Sequence, residues 1–341
     1  MNLRLSSIPL TLDYLEHSLG DEGAARALLA HPDYQFEARR YGLPSVEHLV
    51  PYLARLDTVA PEDIPQLCPG REEALRGKHL LWLDCLAHLP LYRTRFARLE
   101  QALAPEKLSA LEEKLRACFL QDISLEGAHI VSTLSFGPSF GYAFENALHL
   151  DLFGIGNYVS LEGLPFVLLH EMHHLCLAKL EEELLAARED TPMTPLEQYL
   201  FTFTGEGLAV KFCNNAEGVI SRRLDPTLKP NIALPAFPLL NCHFPEHFAL
   251  FCDTVARLGA GTMPWEEVER QLDAYWWNPR LYPKESRFLE QTPVYSFGND
   301  LFGTIYDAFG LEAVFDCFRH PLKTISYFNR SGCGYTIPAA L

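Results

Sequence analysis

The stretch LPFVLLHEMHHLCLAKLEEE, residues 164–183, decides the fold. Its apolar residues recur every three or four positions, which is the period of an amphipathic helix with one buried face. His170 and His174 are four residues apart, so on a helix they lie only about 40° from each other around the axis. Both imidazoles therefore project from the same face, one turn apart.

Residues 170–174 also have the pattern HExxH. On a helix the Cβ atoms of the two histidines are about 6 Å apart, which lets both reach one Zn²⁺ through bonds of about 2.1 Å. Zinc lowers the pKa of a bound water, and a neighbouring carboxylate can take the proton as that water attacks a carbonyl carbon. We therefore predict His170 and His174 as zinc ligands and Glu171 as the general base.

A third ligand is expected because a catalytic zinc usually has three protein ligands and one open position. Glu206, in TFTGEGLAVKF (202–212), lies in the first turn of the next predicted helix, and we predict it as that ligand. An ordinary glutamate at a helix start is the alternative, because the helix dipole favours acidic residues there. A di-iron bundle would need a second ExxH pair on a helix, and the available pair, Glu126 and His129, precedes a predicted strand.

The rest of the chain divides into a helical region and a mixed region. Up to residue 120 the apolar residues have helical spacing, interrupted by prolines, so residues 1–120 are predicted as a helical N-terminal region. Residues 129–137 and 142–154 are rich in β-branched, aromatic and alternating residues and are predicted as two strands. Residues 121–341 are predicted as the catalytic region, with one continuous globular domain as the alternative. The predicted class is α+β, mostly helical with a small sheet.

HEMHH (170–174) followed by GEGLA (205–209) resembles the gluzincin metallopeptidases, and especially poorly characterised families of zinc-dependent peptidases. The resemblance covers roughly residues 125–330. It implies a zincin-like fold in which His170, His174 and Glu206 hold the zinc and Glu171 is the catalytic base. The segment between His174 and Glu206 is longer than in aminopeptidase-type gluzincins, so its structure must differ from theirs.

Two further segments are similar to aminopeptidase-type gluzincins. PVYSFGNDLFGTIYDAFG (293–310) looks like the segment in which a tyrosine opens a helix close to the zinc, and Tyr295 matches that tyrosine. A phenol there could donate a hydrogen bond to the developing oxyanion. AFEN (143–146) is similar to the end of the strand that holds the free amine of a substrate, which implies Glu145 as a substrate-binding residue.

Composition excludes several other classes of protein. The 341 residues include 28 Lys and Arg against 44 Asp and Glu, a net charge of −16, so binding to nucleic acid or to anionic membranes is not expected. No secretory signal is recognised, because Asp13 and Glu16 interrupt the apolar stretch that one requires. No membrane-spanning segment is predicted, and the nine cysteines without a CxxC pair indicate a cytoplasmic protein.

The sequence therefore predicts a zinc-dependent peptidase that hydrolyses peptide bonds in a peptide or protein substrate. The alternative is a non-catalytic binding or scaffold protein in which the same zinc stabilises the fold. A fourth protein ligand would favour the scaffold, and an open coordination position would favour the enzyme. A helical protein without metal would require the HExxH pattern to be accidental. The oligomeric state is not indicated by any pattern in the sequence.

Overall fold

The computed structural model describes residues 1–42, 46–64, 72–137, 141–158, 163–187, 192–230, 236–278 and 292–338. These residues are mostly helical and include a four-stranded mixed sheet, which confirms the predicted α+β class. The chain divides into two compact units. Unit 1 comprises Met1–Glu113 and Ser124–Leu175, and unit 2 comprises Lys114–Ile123 and Cys176–Leu341.

The first part of the chain is helical, as its periodicity predicts. Its helices are α1 Ser7–His17, α2 Glu22–Leu29, α3 Pro32–Arg40, α4 Val50–Ala54, α5 Glu72–Ala87, α6 Leu89–Ala102 and α7 Pro105–Arg116, with a 3₁₀ turn at Glu47–Leu49. Pro32 and Pro105 open α3 and α7, because the first helical position needs no backbone N–H donor. The Asp21 carboxylate caps α2 by accepting from the backbone N–H groups of Gly23 and Ala24.

Unit 1 also contains the sheet, with strands β1 Asn2–Arg4, β2 His129–Thr133, β3 Gly141–Phe144 and β4 Ala147–Asp151. The strand order is β1-β2-β4-β3, in which β2 is parallel to β1 and β4, and the edge strand β3 is antiparallel to β4. The prediction of one strand over residues 142–154 was wrong. Glu145, with a φ of 52°, and Asn146 form a two-residue turn between β3 and β4. Helix α8, Leu152–Tyr158, follows β4 directly.

The two faces of this sheet are covered by different helices. On one face, α3 packs on the strands through a cluster that consists of Phe36, Val131, Tyr142 and Ala147. On the other face lies α9, Leu164–Ala187, which is the helix predicted around the HExxH pattern. Neighbouring side chains of a strand point to opposite faces. Tyr142 therefore points toward α3, whereas a side chain at Gly141 would point toward Glu171 of α9.

The described residues of unit 2 form helices and connecting loops, and α9 continues into this unit after Leu175. Its helices are α10 Pro195–Thr202, α11 Thr204–Cys213, α12 Ala236–Cys242, α13 Phe244–Gly259, α14 Trp265–Gln271, α15 Pro293–Arg319 and α16 Lys323–Arg330, with a π-helical turn at Leu272–Trp276. Aromatic rings fill its core, among them Phe203, Phe251, Trp276 and Phe297. None of the helices within the described ranges is long and apolar enough to cross a membrane.

Helices α11 and α15 approach each other through two glycines. A Cβ atom on Gly207 would lie 2.5 Å from the carbonyl carbon of Gly298, and a Cβ on Gly298 would lie 2.7 Å from the carbonyl oxygen of Phe203. Real side chains do not tolerate such distances, so only glycine permits this crossing. The crossing lies next to Glu206 on α11 and one turn after Tyr295 on α15.

Candidate metal centre

The two histidines of the HExxH pattern are presented by α9. One side of this helix is apolar and buried, including Leu168, Met172 and Leu175, and this burial fixes the rotation of the helix about its axis. His170 and His174 lie on its other side, and their Nε2 atoms are 3.0 Å apart. The Nε2 atoms of both rings are thus directed to one place, as the four-residue spacing predicts. His173 is fully buried and lies outside this pair.

Glu206 completes a group of three candidate ligands. One ligand atom from each of His170, His174 and Glu206 can be chosen so that all of these atoms lie within 4.8 Å of one another, and all three residues are at least partly buried. Helix α10 ends at Thr202, and α11 begins two residues later, so Glu206 lies in the first turn of α11. The structure thus brings together the three residues that the sequence predicts as ligands, while ligation itself stays a prediction.

The chemistry of this group fits a zinc ion. Zinc takes nitrogen ligands from histidine and oxygen ligands from carboxylates, and bonds of about 2.1 Å in a tetrahedron separate ligand atoms by about 3.4 Å. The separation of 3.0 Å between the two Nε2 atoms, and the upper limit of 4.8 Å for the group, span that value. Within the described ranges the group has three members of the His, Cys, Asp and Glu types.

The general-base candidate Glu171 lies beside the edge strand of the sheet. A Cβ atom placed on Gly141, the first residue of β3, would be 3.3 Å from both the Cγ and the Oε1 atoms of Glu171. The carboxylate of Glu171 therefore lies against the backbone at the start of β3. No pattern in the sequence around Gly141 indicates this contact.

Tyr295 lies in the first turn of α15, which begins at Pro293. Its side chain is partly buried and packs against a cluster that includes Val210 of α11. Val210 is four residues after Glu206, so the two lie on the same face of that helix. The cluster against which Tyr295 packs therefore includes a residue of the helix face that presents Glu206, whereas the role of Tyr295 toward an oxyanion stays a prediction.

Glu145 lies at the turn after β3, at the opposite end of that strand from Gly141. Its carboxylate accepts two hydrogen bonds from Arg39 of α3, at 3.0 and 3.1 Å, and its side chain is about half exposed. The hydrogen bonds from Arg39 lower the pKa of Glu145. The structure does not place Glu145 in the group of candidate ligands, and its predicted role in binding a substrate amine remains untested.

Comparison with known proteins gives no independent assignment. No family model matches this sequence, and neither a curated protein nor a solved structure gives a significant match. The resemblance to gluzincins therefore stays a prediction that rests on HEMHH and GEGLA, together with the geometry of His170, His174 and Glu206.

Proposed function

We propose that this protein is a zinc-dependent peptidase that acts on peptide or protein substrates in the cytoplasm. The observation that carries the proposal is the group formed by His170, His174 and Glu206, whose ligand atoms lie within 4.8 Å of one another. The carboxylate of Glu171 is the second support, because it is adjacent to His170 in the sequence and lies against the edge strand β3.

The chain's own residues supply the acid–base chemistry. When bound, zinc would lower the pKa of a coordinated water and polarise the carbonyl of the scissile bond. Glu171 takes the proton of the attacking water and later returns it to the leaving amine, so that the carboxylate is regenerated in each cycle. Tyr295 donates a hydrogen bond to the oxygen of the attacked carbonyl, where negative charge develops.

The edge strand favours a peptide as the substrate. β3 lies at the end of the strand order, and an edge strand presents backbone N–H and C=O groups with which an extended chain can pair. Gly141 at the start of β3 lies beside the Glu171 carboxylate. A peptide paired with β3 would therefore have its backbone close to the general base. A zincin-like arrangement of the sheet and α9 is part of this proposal.

The test separates metal binding from proton transfer. The protein is incubated with a mixture of unstructured peptides, cleavage is followed by mass spectrometry, and bound zinc is measured by elemental analysis after dialysis. The Glu171→Gln variant is expected to retain zinc and to lose about 10²- to 10⁴-fold in kcat, because a general base typically contributes this much. The matched control is Glu182→Gln on the exposed part of the same helix, which is expected to keep both zinc and activity.

Three outcomes would contradict the proposal. Full turnover by Glu171→Gln would remove the mechanism, since no other residue is proposed as the base. A parent protein that holds zinc but cleaves none of the peptides would favour the alternative, a scaffold stabilised by zinc. A parent protein that holds no zinc after dialysis against a zinc-containing buffer would exclude both.

A further inference from the structure

A buried carboxylate that accepts four hydrogen bonds lies on the face of the sheet opposite α9. The Glu37 side chain belongs to α3, and the residue is only 4% exposed. Its Oε1 atom accepts from the Ser135 hydroxyl at 2.5 Å and from the backbone N–H groups of Phe136 and Gly137 at 3.0 and 2.9 Å. Its Oε2 atom accepts from the Thr133 hydroxyl at 2.9 Å.

These hydrogen bonds fix the chain that leaves β2. Three consecutive residues, 135–137, each give Glu37 a donor, so the carboxylate holds their backbone in one conformation. Gly137 is also confined from a second side, because a Cβ atom there would overlap the ring of Tyr41 at the end of α3. The end of α3 therefore holds residues 135–137, which follow shortly after β2.

A continuous series of contacts leads from Glu37 to the start of β3. The Thr133 hydroxyl, which donates to Glu37, is 2.7 Å from Nε2 of His149 on β4. The His149 ring stacks on the Tyr142 ring, with 4.6 Å between centroids and 17° between planes. Tyr142 follows Gly141 directly in β3, so the register of this strand against β4 is tied to the Glu37 group.

The other end of β3 is held by α3 in a different way. There Arg39 pairs with Glu145 of the turn, but both side chains are about half exposed. An exposed ion pair of this kind contributes little, typically 0.2–1 kcal/mol. Helix α3 is thus linked to the start of β3 indirectly, through the buried contacts of Glu37, and to the turn at the other end through the exposed pair of Arg39.

We propose that Glu37 is a positioning residue for the peptidase reaction. It holds residues 135–137 and, through Thr133, His149 and Tyr142, the start of β3. In this position a Cβ atom placed on Gly141 would lie 3.3 Å from Oε1 of Glu171. The backbone at Gly141 therefore limits where the Glu171 carboxylate can point. The inference rests on the proposed function, because it assigns Glu37 a role in orienting the general base of that reaction.

The consequence is a change in kcat rather than in zinc or substrate binding. Misplacement of a reacting group by about 1 Å can cost about 100-fold in rate. Replacing Glu37 by Gln exchanges one acceptor oxygen for an NH₂ donor, so some of the four donors lose their partner. The Glu37→Gln variant is expected to show a 10- to 100-fold lower kcat, with KM and the bound zinc each within about threefold of the parent.

The experiment compares Glu37→Gln with Arg39→Gln, which breaks the exposed pair at the other end of β3. Each protein is assayed for kcat and KM well below its melting temperature, and its bound zinc is measured. Amide hydrogen exchange of Phe136 and Gly137 is measured in the metal-free protein as a readout that does not depend on activity. Exchange is expected to become faster in Glu37→Gln only, and kcat of Arg39→Gln is expected to stay within about twofold of the parent.

A kcat of Glu37→Gln equal to that of the parent, together with faster exchange, would show that Glu37 is merely structural and would overturn the inference. Equal loss of kcat in Arg39→Gln would overturn it as well, because the effect would then not depend on the buried carboxylate. Should Glu37→Gln fail to fold, Ser135→Ala removes one of its donors, and an unchanged kcat in that variant has the same meaning. A parent without peptidase activity overturns the proposed function instead, and with it the catalytic role of Glu37.

Discussion

Two places in the molecule bring polar atoms together: the Glu37 carboxylate, and the candidate metal centre formed by His170, His174 and Glu206. They differ in the kind of atom that each brings together. The Glu37 oxygens face four hydrogen-bond donors, two of them backbone N–H groups. In the second group, two imidazole nitrogens and a carboxylate oxygen, all able to donate electron pairs, lie within 4.8 Å of one another.

This difference separates a carboxylate held by hydrogen bonds from a candidate metal site. Burial of a carboxyl group is tolerated when hydrogen bonds offset part of the lost hydration, as they do at Glu37, where burial still raises the pKa of the carboxyl group. Electron-pair donors that converge on one point gain most from a cation placed there, which is why the second group is the candidate metal centre. Substitutions in and around the two places test whether only the second one binds a metal ion.

The largest effect is expected when one candidate ligand is neutralised. The Glu206→Gln variant should lose zinc affinity by more than about 100-fold, because even residues that only orient a ligand change metal affinity by about 10- to 100-fold. Glu37→Gln, the same chemical change at the other group, should leave zinc affinity nearly unchanged. Competition with a chromophoric chelator measures both. Equal affinities in the two variants would erase the distinction between the groups.

A second large effect is expected at the crossing of α11 and α15, which positions Glu206. Gly207→Ala would place a Cβ 2.5 Å from the backbone of Gly298, so the helices must separate. Overpacking of this kind costs about 1–3 kcal/mol and occasionally more, and we expect about 3 kcal/mol for a contact with backbone. Gly205→Ala is the matched control, since a Cβ there meets nothing within 4 Å.

Gly205→Ala is expected to be neutral or stabilising by up to about 1 kcal/mol, because alanine is the better helix former. Urea unfolding at pH 7 gives both values, and a similar stability of the two variants would contradict the close helix crossing. Zinc affinity of Gly207→Ala should fall together with its stability. Unchanged affinity would show that Glu206 does not depend on this crossing.

The sequence predicts the parts of the site that are local. His170, Glu171 and His174 follow from spacing on one helix, and Glu206 follows from its place after Gly205 in the next predicted helix. Tyr295 was suggested only by the resemblance of its segment to aminopeptidase-type gluzincins. Residues at distant positions in the chain were not predictable in the same way. Glu37 lies in a helix without any chemical signature, and its partner Ser135 is 98 positions away.

The sheet shows the same limit. β2 was predicted from its composition, but its parallel partner β1 has only three residues and precedes it by more than 120 positions. Glycine is typical of turns, so the residue type of Gly141 does not indicate a site. Only the antiparallel pairing of β3 with β4 brings Gly141 against Glu171. Pairing between distant strands depends on packing of the whole unit, which short-range patterns do not encode.

His149 is buried next to Thr133, the residue whose hydroxyl donates to Glu37. Burial lowers the pKa of His149 to about 4 from its ordinary value of 6.5. The unfolded chain therefore takes up this proton as the pH falls below 6.5, whereas the folded protein takes it up only near pH 4. The contribution of neutral His149 to stability is complete above pH 6.5 and decreases by about 3 kcal/mol as the pH falls to 4.

The His149→Phe variant isolates this contribution, because phenylalanine retains a ring to stack on Tyr142 but does not titrate. Urea unfolding of both proteins at pH 7 and pH 4.5 gives the measurement. Between these values the stability of the parent should fall relative to that of the variant by about 2–3 kcal/mol. An identical pH dependence of the two proteins would show that His149 is not held neutral by burial.

The smallest effect is expected at the exposed end of β3. Glu145→Gln breaks the pair with Arg39, in which both side chains are about half exposed, and should cost less than about 1 kcal/mol at low salt and less still at 1 M salt. The variant also tests the resemblance that implies an amine anchor at Glu145. If that role is correct, KM for peptides with a free amino terminus should rise while KM for amino-acetylated peptides stays constant. If both KM values are unchanged, Glu145 serves only the turn, and the two ends of β3 then differ in function as well as in burial.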